Sequence, residues 1–157
     1  MCAEGKVTFK NVVTFNMDEY VGLPREHDQS YWYFMHDNFF NHIDIPRENI
    51  NILNGMAEDL EAECQRYEDK IASYGGIDLF LGGCGVDGHI AFNDPPADFD
   101  TDEAYIVVNL DDRCKQQQMG EGWFATIDDV PKQAVSMTVR QIMRCERIVS
   151  CVPYKVK

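Results

Sequence analysis

The chain has 157 residues, a formal net charge of −13 and 45% hydrophobic residues. This length suits a single domain over residues 1–157, burying about two-thirds of its unfolded surface. The acidic balance argues against nucleic acid or an anionic membrane as a partner, and no run approaches the roughly 20 apolar residues of a membrane span. Residues 1–6 carry no apolar stretch, so we expect no signal peptide and a cytoplasmic protein with reduced thiols.

The first half of the chain predicts one strand and two helices. The β-branched run Val12–Phe15 predicts the first strand. A helix is predicted from Asp28 to Asn41, with Asp28 or Ser30 as its cap and with its aromatic side chains in the core. Residues 57–74 predict a second helix, because apolar residues recur every three or four positions. This stripe consists of Leu60, Cys64, Tyr67, Ile71 and Tyr74.

The second half predicts further strands at 77–81, 105–108 and 147–152, with strand-prone residues at 134–137. Short helices are predicted at 114–119 and at 138–144, the latter capped by Thr138. Because strands alternate with helices, we expect an α/β fold with a parallel, doubly wound (Rossmann-like) sheet and right-handed crossovers.

A glycine-rich turn, residues 82–96, follows the strand at 77–81. Residues 83–88 match the dinucleotide pattern G-x-G-x-x-G. That motif must open a long helix, whereas Pro95 and Pro96 follow closely, and Asp87 would place a carboxylate where the diphosphate should lie. Nucleotide binding is therefore disfavoured, and two interpretations stay open: a site for proton transfer, or a structural turn in which His89 satisfies neighbouring groups.

The six cysteines contain no C-x-x-C pair and are not accompanied by histidines at zinc-ligand spacing. We therefore expect no metal site. Cys84 lies inside the glycine turn, where a thiol could act as a nucleophile but more often only packs.

Polar residues follow the carboxyl end of each predicted strand. Asp18 follows the first, Asp87 and His89 follow the second, Arg113 the third and Lys155 the last. In parallel α/β sheets, ligands bind outside these ends. Carboxylates, an imidazole and two cations on one rim predict proton transfer on a small phosphorylated or carboxylated substrate.

Two segments, residues 14–24 and residues 82–93, resemble the glucosamine-6-phosphate deaminase/isomerase family. The resemblance is near-continuous from Val7 to Asn93; beyond Asp94 it weakens and includes residues 117–124, which resemble a more divergent branch. It implies conversion of glucosamine 6-phosphate and water to fructose 6-phosphate and ammonium, without a cofactor or metal. It also implies a modified doubly wound sheet, often assembled as a homo-oligomer.

The resemblance also implies catalytic roles. Asp18 would be the base that moves a proton between adjacent sugar carbons. His89 would assist opening of the pyranose ring, oriented by Asp87 and Asp94. A histidine suits this role because imidazoles titrate near neutral pH.

Four further residues would bind the substrate. Gly83 and Gly85 would allow it close to the main chain. Arg113 and Lys155 match positions that hold the substrate phosphate, for which a guanidinium and an ammonium are suited.

The chain departs from the family pattern in three places. Asp94 stands where the family has glutamate, and a misplacement of about 1 Å can cost a hundredfold in rate. Residues 95–100 replace a Ser/Arg-rich segment of allosteric members, so we expect no activation by N-acetylglucosamine 6-phosphate. We also expect the domain to be incomplete at both ends, lacking a phosphate loop before Val7 and elements after Lys155. Two alternative functions therefore stay open: an inactive sugar-phosphate-binding fragment, or a 6-phosphogluconolactonase-like hydrolase.

Overall fold

The protein is described from a computed structural model. It covers residues 1–85, 87–120 and 122–152, with Gln117 described for its main chain only. This part of the chain contains seven strands and four α-helices. The strands are β1 (Thr14–Phe15), β2 (Asp18–Tyr20), β3 (Ile50–Asn51), β4 (Leu79–Gly82), β5 (Tyr105–Asn109), β6 (Gln133–Met137) and β7 (Arg147–Ser150). The helices are α1 (Tyr31–Asn38), α2 (Leu60–Ser73), α3 (Asp112–Gly120) and α4 (Val139–Met143). Short 3-10 turns lie at Phe40–His42, Arg47–Asn49 and Ile127–Asp129.

The strands form three small sheets. β1 pairs with β3, and β4 pairs with β7, both in parallel. The third sheet has β6 at its centre, antiparallel to both β2 and β5. The predicted α/β class with parallel strand pairs is confirmed. The expectation that the strand at 105–108 is also parallel is wrong, because its partner β6 runs in the opposite direction.

Side-chain caps fix where three of the helices begin. Ser30, Asp59 and Thr138 precede α1, α2 and α4, and each accepts a hydrogen bond from the backbone N–H three residues later. Such caps satisfy N–H groups that have no partner inside the helix. The predicted caps Ser30 and Thr138 are therefore confirmed.

The larger core cluster forms where α2 packs against the strands. Cys64, Tyr67 and Ile71 of α2 are buried there together with Phe80 of β4 and Tyr105 of β5. The apolar stripe predicted for α2 is confirmed at these three positions, and its burial contributes about 1.5–3 kcal/mol for a side chain such as isoleucine.

The aromatic helix α1 differs from expectation. It is shorter than predicted, because Phe39 leaves the helical region with φ −137° and ψ −63°. None of its eight residues is buried, and Phe34 is 44% exposed. The prediction that the aromatic side chains of residues 28–41 form core is confirmed in part: Tyr31 packs against the cluster around Tyr20 and Phe92, and Phe40, just after the helix, is buried. Among the described residues, no helix combines the length and apolarity needed to cross a membrane.

Candidate active site

The glycine turn after β4 is closed by its own main chain. Gly85 N donates to His89 O at 2.8 Å, and Gly88 N donates to Gly85 O at 3.2 Å. Gly88 and Ala91 both have positive φ, 89° and 53°. A positive φ at alanine is strained backbone, which is frequent at functional sites.

No helix follows this turn: residues 87–104 are described throughout, and none is helical. A helix N-terminus for a diphosphate is therefore missing directly after the glycines. The structure agrees with the sequence-based argument against a dinucleotide site.

The turn brings one imidazole between two carboxylates. His89 Nδ1 lies 2.6 Å from Asp87 Oδ1 and 3.1 Å from Asp94 Oδ1. The His89 side chain is 13% exposed. An Nδ1 atom at hydrogen-bond distance from two carboxylates carries a proton, which fixes the ring tautomer and leaves the lone pair on Nε2. Among the described residues, Nε2 has no hydrogen-bond partner.

The two carboxylates are electrostatically different. Burial acts to raise the pKa of Asp87, but the hydrogen bonds from His89 outweigh it and the pKa lies below its ordinary value. At Asp94, burial prevails over the attraction of His89 and raises the pKa. Paired groups whose pKa values are pushed apart are suited to separate acid and base roles. Asp87 is the stable anion of the pair, and Asp94 accepts a proton more readily.

Gly85 is buried against the imidazole. A Cβ atom at this position would collide with three atoms of the His89 ring. The absence of a side chain at Gly85 therefore makes room for the ring, a role distinct from the substrate approach predicted for it.

Strand β6 anchors the far side of the turn. Ser136 Oγ accepts a hydrogen bond from Phe92 N at 3.0 Å, and Asn93 Nδ2 donates to Met137 O at 2.8 Å. Asn93 and Ser136 are 6% and 0% exposed. These buried bonds fix the segment between His89 and Asp94, and sequence reasoning did not identify them.

Strand β6 connects Asp18 with the glycine turn. Asp18 lies at the start of β2 directly opposite Ser136, which holds the turn from the other side. Asp18 follows β1 as predicted, and it begins a second strand that the sequence did not predict. The two predicted catalytic segments both contact β6. Burial, followed by the neighbouring charge of Glu19, raises the pKa of Asp18 to about 8. Strongly perturbed carboxyls cluster at functional sites.

Sequence reasoning also missed Glu19. Its carboxylate is 3% exposed and accepts backbone hydrogen bonds from the first two residues of α1. The only signal in the sequence is its place beside Asp18.

The predicted substrate-binding residues lie in different parts of the chain. Gly83 follows β4 and is exposed. Arg113 lies in the first turn of α3 with an exposed side chain, beside buried Cys114, whose thiol interacts with Asp94. Among the described residues, Arg113 has no ion pair. Lys155 lies outside the described residues.

A cavity of about 1100 Å³ lies elsewhere, between α1 and residues 43–56. Glu19 and Trp32 are among its lining residues, whereas Asp87, His89 and Asp94 are not. We place the candidate site at the latter three side chains because titratable groups converge there.

The same three side chains offer ligand atoms within 4.8 Å of one another, as a metal site would. The histidine atom involved is Nδ1, whose proton both carboxylates approach. A metal would bind this nitrogen only by displacing the proton that both carboxylates now hold in place. The arrangement therefore suits proton transfer better than metal binding, and the expected lack of a metal stays a prediction.

Fold and site together define an α/β protein in which an imidazole and two carboxylates meet in a glycine turn after a parallel strand. The family profile described as glucosamine-6-phosphate isomerases/6-phosphogluconolactonase matches residues 1–155. The chain belongs to this family, which confirms the resemblance found in the sequence.

Curated relatives are named glucosamine-6-phosphate deaminase. Those of Glaesserella parasuis serovar 5 (strain SH0165) and Aliivibrio fischeri (strain MJ11) are each 54% identical over 144 residues. The match covers 92% of this chain and 53% of each relative. The chain thus spans about half the length of the curated relatives it matches.

Solved structures agree on the fold. A structure described as a monomeric glucosamine-6-phosphate deaminase has a TM-score of 0.86 at 40% identity, covering 94% of this chain and 60% of that one. The 6-phosphogluconolactonase of Thermotoga maritima has a TM-score of 0.73 at 22% identity, with the same coverage of 94% and 60%. The latter likeness concerns the fold alone.

Proposed function

We propose that the chain carries out the aldose–ketose isomerisation and hydrolytic deamination of glucosamine 6-phosphate, giving fructose 6-phosphate and ammonium. The observation that carries the proposal is the contact of His89 Nδ1 with both Asp87 and Asp94. Relatives named glucosamine-6-phosphate deaminase at 54% identity support the choice of substrate.

In this proposal His89 opens the pyranose ring. Asp87 holds the proton on Nδ1, so that Nε2 exchanges a proton with the ring oxygen. Burial raises the pKa of Asp94. Its carboxylate stabilises the positive charge that forms on the imidazole ring of His89. General acid–base catalysis of this kind contributes typically 10²–10⁴-fold in rate.

Asp18 then moves a proton between the two adjacent carbons of the open sugar. A carboxylate with a pKa of about 8 is a stronger base than an ordinary aspartate, and it is fully ionised only above that pH. Arg113, exposed on α3, would bind the phosphate together with Lys155.

The proposal is tested with the purified chain and glucosamine 6-phosphate, measuring both fructose 6-phosphate and ammonium. We expect both products from the wild type and neither from His89→Gln. His42→Gln is the matched control, because His42 is exposed and lies outside the cluster. Absence of product at high protein concentration would contradict the proposal.

Two other outcomes would assign a different function. Thermal stabilisation by the sugar phosphate without turnover would indicate a binding protein. Hydrolysis of 6-phosphogluconolactone that survives Asp18→Asn would indicate a lactonase, since that reaction moves no proton between carbons.

We further propose that the reaction belongs to amino-sugar catabolism in the cytoplasm. All six cysteines lie in the described residues and are free, in keeping with a reducing compartment. Analytical ultracentrifugation distinguishes a monomer, as in the structural neighbour so described, from the homo-oligomer that the sequence resemblance implies.

A further inference from the structure

Glu19 is a buried carboxylate that the proposed reaction leaves unused. Its Oε1 accepts hydrogen bonds from Tyr20 N and Tyr31 N, both at 2.9 Å. Its Oε2 accepts one from Trp32 N, also at 2.9 Å. Tyr31 and Trp32 begin α1, so Glu19 occupies the positively polarised end of that helix.

These bonds fix β2 from one side. Successive side chains on a strand point to opposite faces. Because Glu19 is held on the α1 side, Asp18 before it is directed to the other face. The pairing of Asp18 with Ser136 fixes the same strand against β6.

We propose that Glu19 is a positioning residue for Asp18: anchored on the N-terminus of α1, it fixes the strand that carries Asp18 and holds a negative charge beside it. The catalytic meaning of this inference rests on the proposed function, in which Asp18 is the base. The structural coupling between the two side chains does not depend on it.

In the part of the chain that the structure describes, Glu19 is the charged group that acts on Asp18. After burial, Glu19 contributes the rise in the pKa of Asp18. Among the described residues, the other titratable groups that interact with the charge of Asp18 are tyrosines, which are neutral at pH 7. They come from β2, α1, α2 and β5: Tyr20, Tyr31, Tyr67 and Tyr105.

The hydrogen bonds to Glu19 favour its charged form but do not outweigh its burial. Burial raises the pKa of Glu19 above its ordinary value, although the hydrogen bonds from Tyr31, Trp32 and Tyr20 act to lower it. An amide in its place would keep the size of the side chain but lose the charge. It would also present N–H groups to the N–H donors of α1, which cannot pair with each other.

The test compares Glu19→Gln with Ser30→Ala. The second variant removes the side-chain cap of α1 but leaves the charge beside Asp18. The Asp18 carboxyl is titrated by ¹³C NMR, with Asp18→Asn identifying its signal. The wild-type midpoint is expected near pH 8.

We expect the midpoint to fall by about one unit in Glu19→Gln and to stay in Ser30→Ala. With glucosamine 6-phosphate, we expect kcat to fall about tenfold in Glu19→Gln with little change in KM, because strand position affects the proton transfer more than binding. An unchanged midpoint in Glu19→Gln, or the same shift in Ser30→Ala, would overturn the inference.

Glu19→Asp separates charge from anchoring. It keeps the negative charge but is one methylene too short for α1, so we expect a midpoint near that of the wild type and a reduced kcat. A midpoint as low as in Glu19→Gln would overturn the charge effect. If the wild type itself shows no turnover, the proposed function fails, and the titration still decides the coupling.

Discussion

At the scale of single residues, Gly85 is placed where the imidazole ring needs the space. In Gly85→Ala, the added Cβ would collide with the His89 ring, so either the ring or the turn must move. We expect at least a hundredfold loss of kcat/KM, since a shift of about 1 Å has that effect. Steady-state kinetics with glucosamine 6-phosphate measure it. Gly120→Ala is the control, because a Cβ there meets no atom within 4 Å.

Asp94 gives a second prediction at this scale. Although it is one methylene shorter than the glutamate of the family pattern, it already reaches His89 Nδ1 at 3.1 Å without a bridging group. Asp94→Glu should therefore overshoot the contact and lower kcat about tenfold or more. Asp128→Glu, at an exposed position, should have no effect. A gain of activity in Asp94→Glu would show that the shorter side chain is poorly placed.

The residue scale also shows which parts of the site a sequence can predict. Asp87, His89 and Asp94 lie within a few positions of each other, so the glycine turn alone brings them together. The bonds of Glu19 cross 12 and 13 positions and depend on how the intervening loop folds back onto β2. Residue spacing carries no information about that loop path.

At the scale of elements, one hydroxyl of α2 forms hydrogen bonds beside the parallel pair β1–β3. Tyr67 Oη accepts a hydrogen bond from Asn16 N and donates one to Asn51 O, both at 2.8 Å. Tyr67→Phe removes one hydrogen bond from Asn16 N and one from Asn51 O. We expect the free energy of unfolding to fall by about 1–2 kcal/mol, measured by urea denaturation.

Tyr74→Phe is the matched control for this prediction. Tyr74 directly follows α2 and is 52% exposed, so the loss of its hydroxyl should change the free energy of unfolding by less than about 0.5 kcal/mol. Equal effects of the two variants would contradict the role given to Tyr67.

Elements differ in how far the sequence determines them. Helix α2 was predictable because its stripe repeats over four turns. The run Val12–Phe15 predicted one strand, but the chain changes sheets just after it. Asn16 N donates to Asn51 O, whereas Met17 O accepts from Met137 N. Both partners are distant in sequence, so local patterns predict the strand but not its pairing or direction.

At the scale of the whole molecule, the raised pKa of Asp18 links folding to pH. Its pKa rises from an ordinary 3.8 to about 8 on folding. Between these values the folded state binds more protons than the unfolded state, so this group makes the free energy of unfolding fall as pH rises. Above about pH 8 the folded state bears the full free-energy cost of the ionised Asp18 carboxylate.

Asp18→Asn cannot ionise and should remove this part of the pH dependence. We expect it to be more stable than the wild type by about 1–3 kcal/mol at pH 9, and nearly equal to it at pH 4. The partial solvent exposure of Asp18 keeps the difference below the full effect of the pKa change. Urea denaturation at both pH values measures it, with exposed Asp128→Asn as the control. A variant that is less stable than the wild type at pH 9 would contradict the prediction. The expected result, a more stable but inactive protein, would mean that the fold bears an energetic cost at Asp18 in order to hold a strong base in the site.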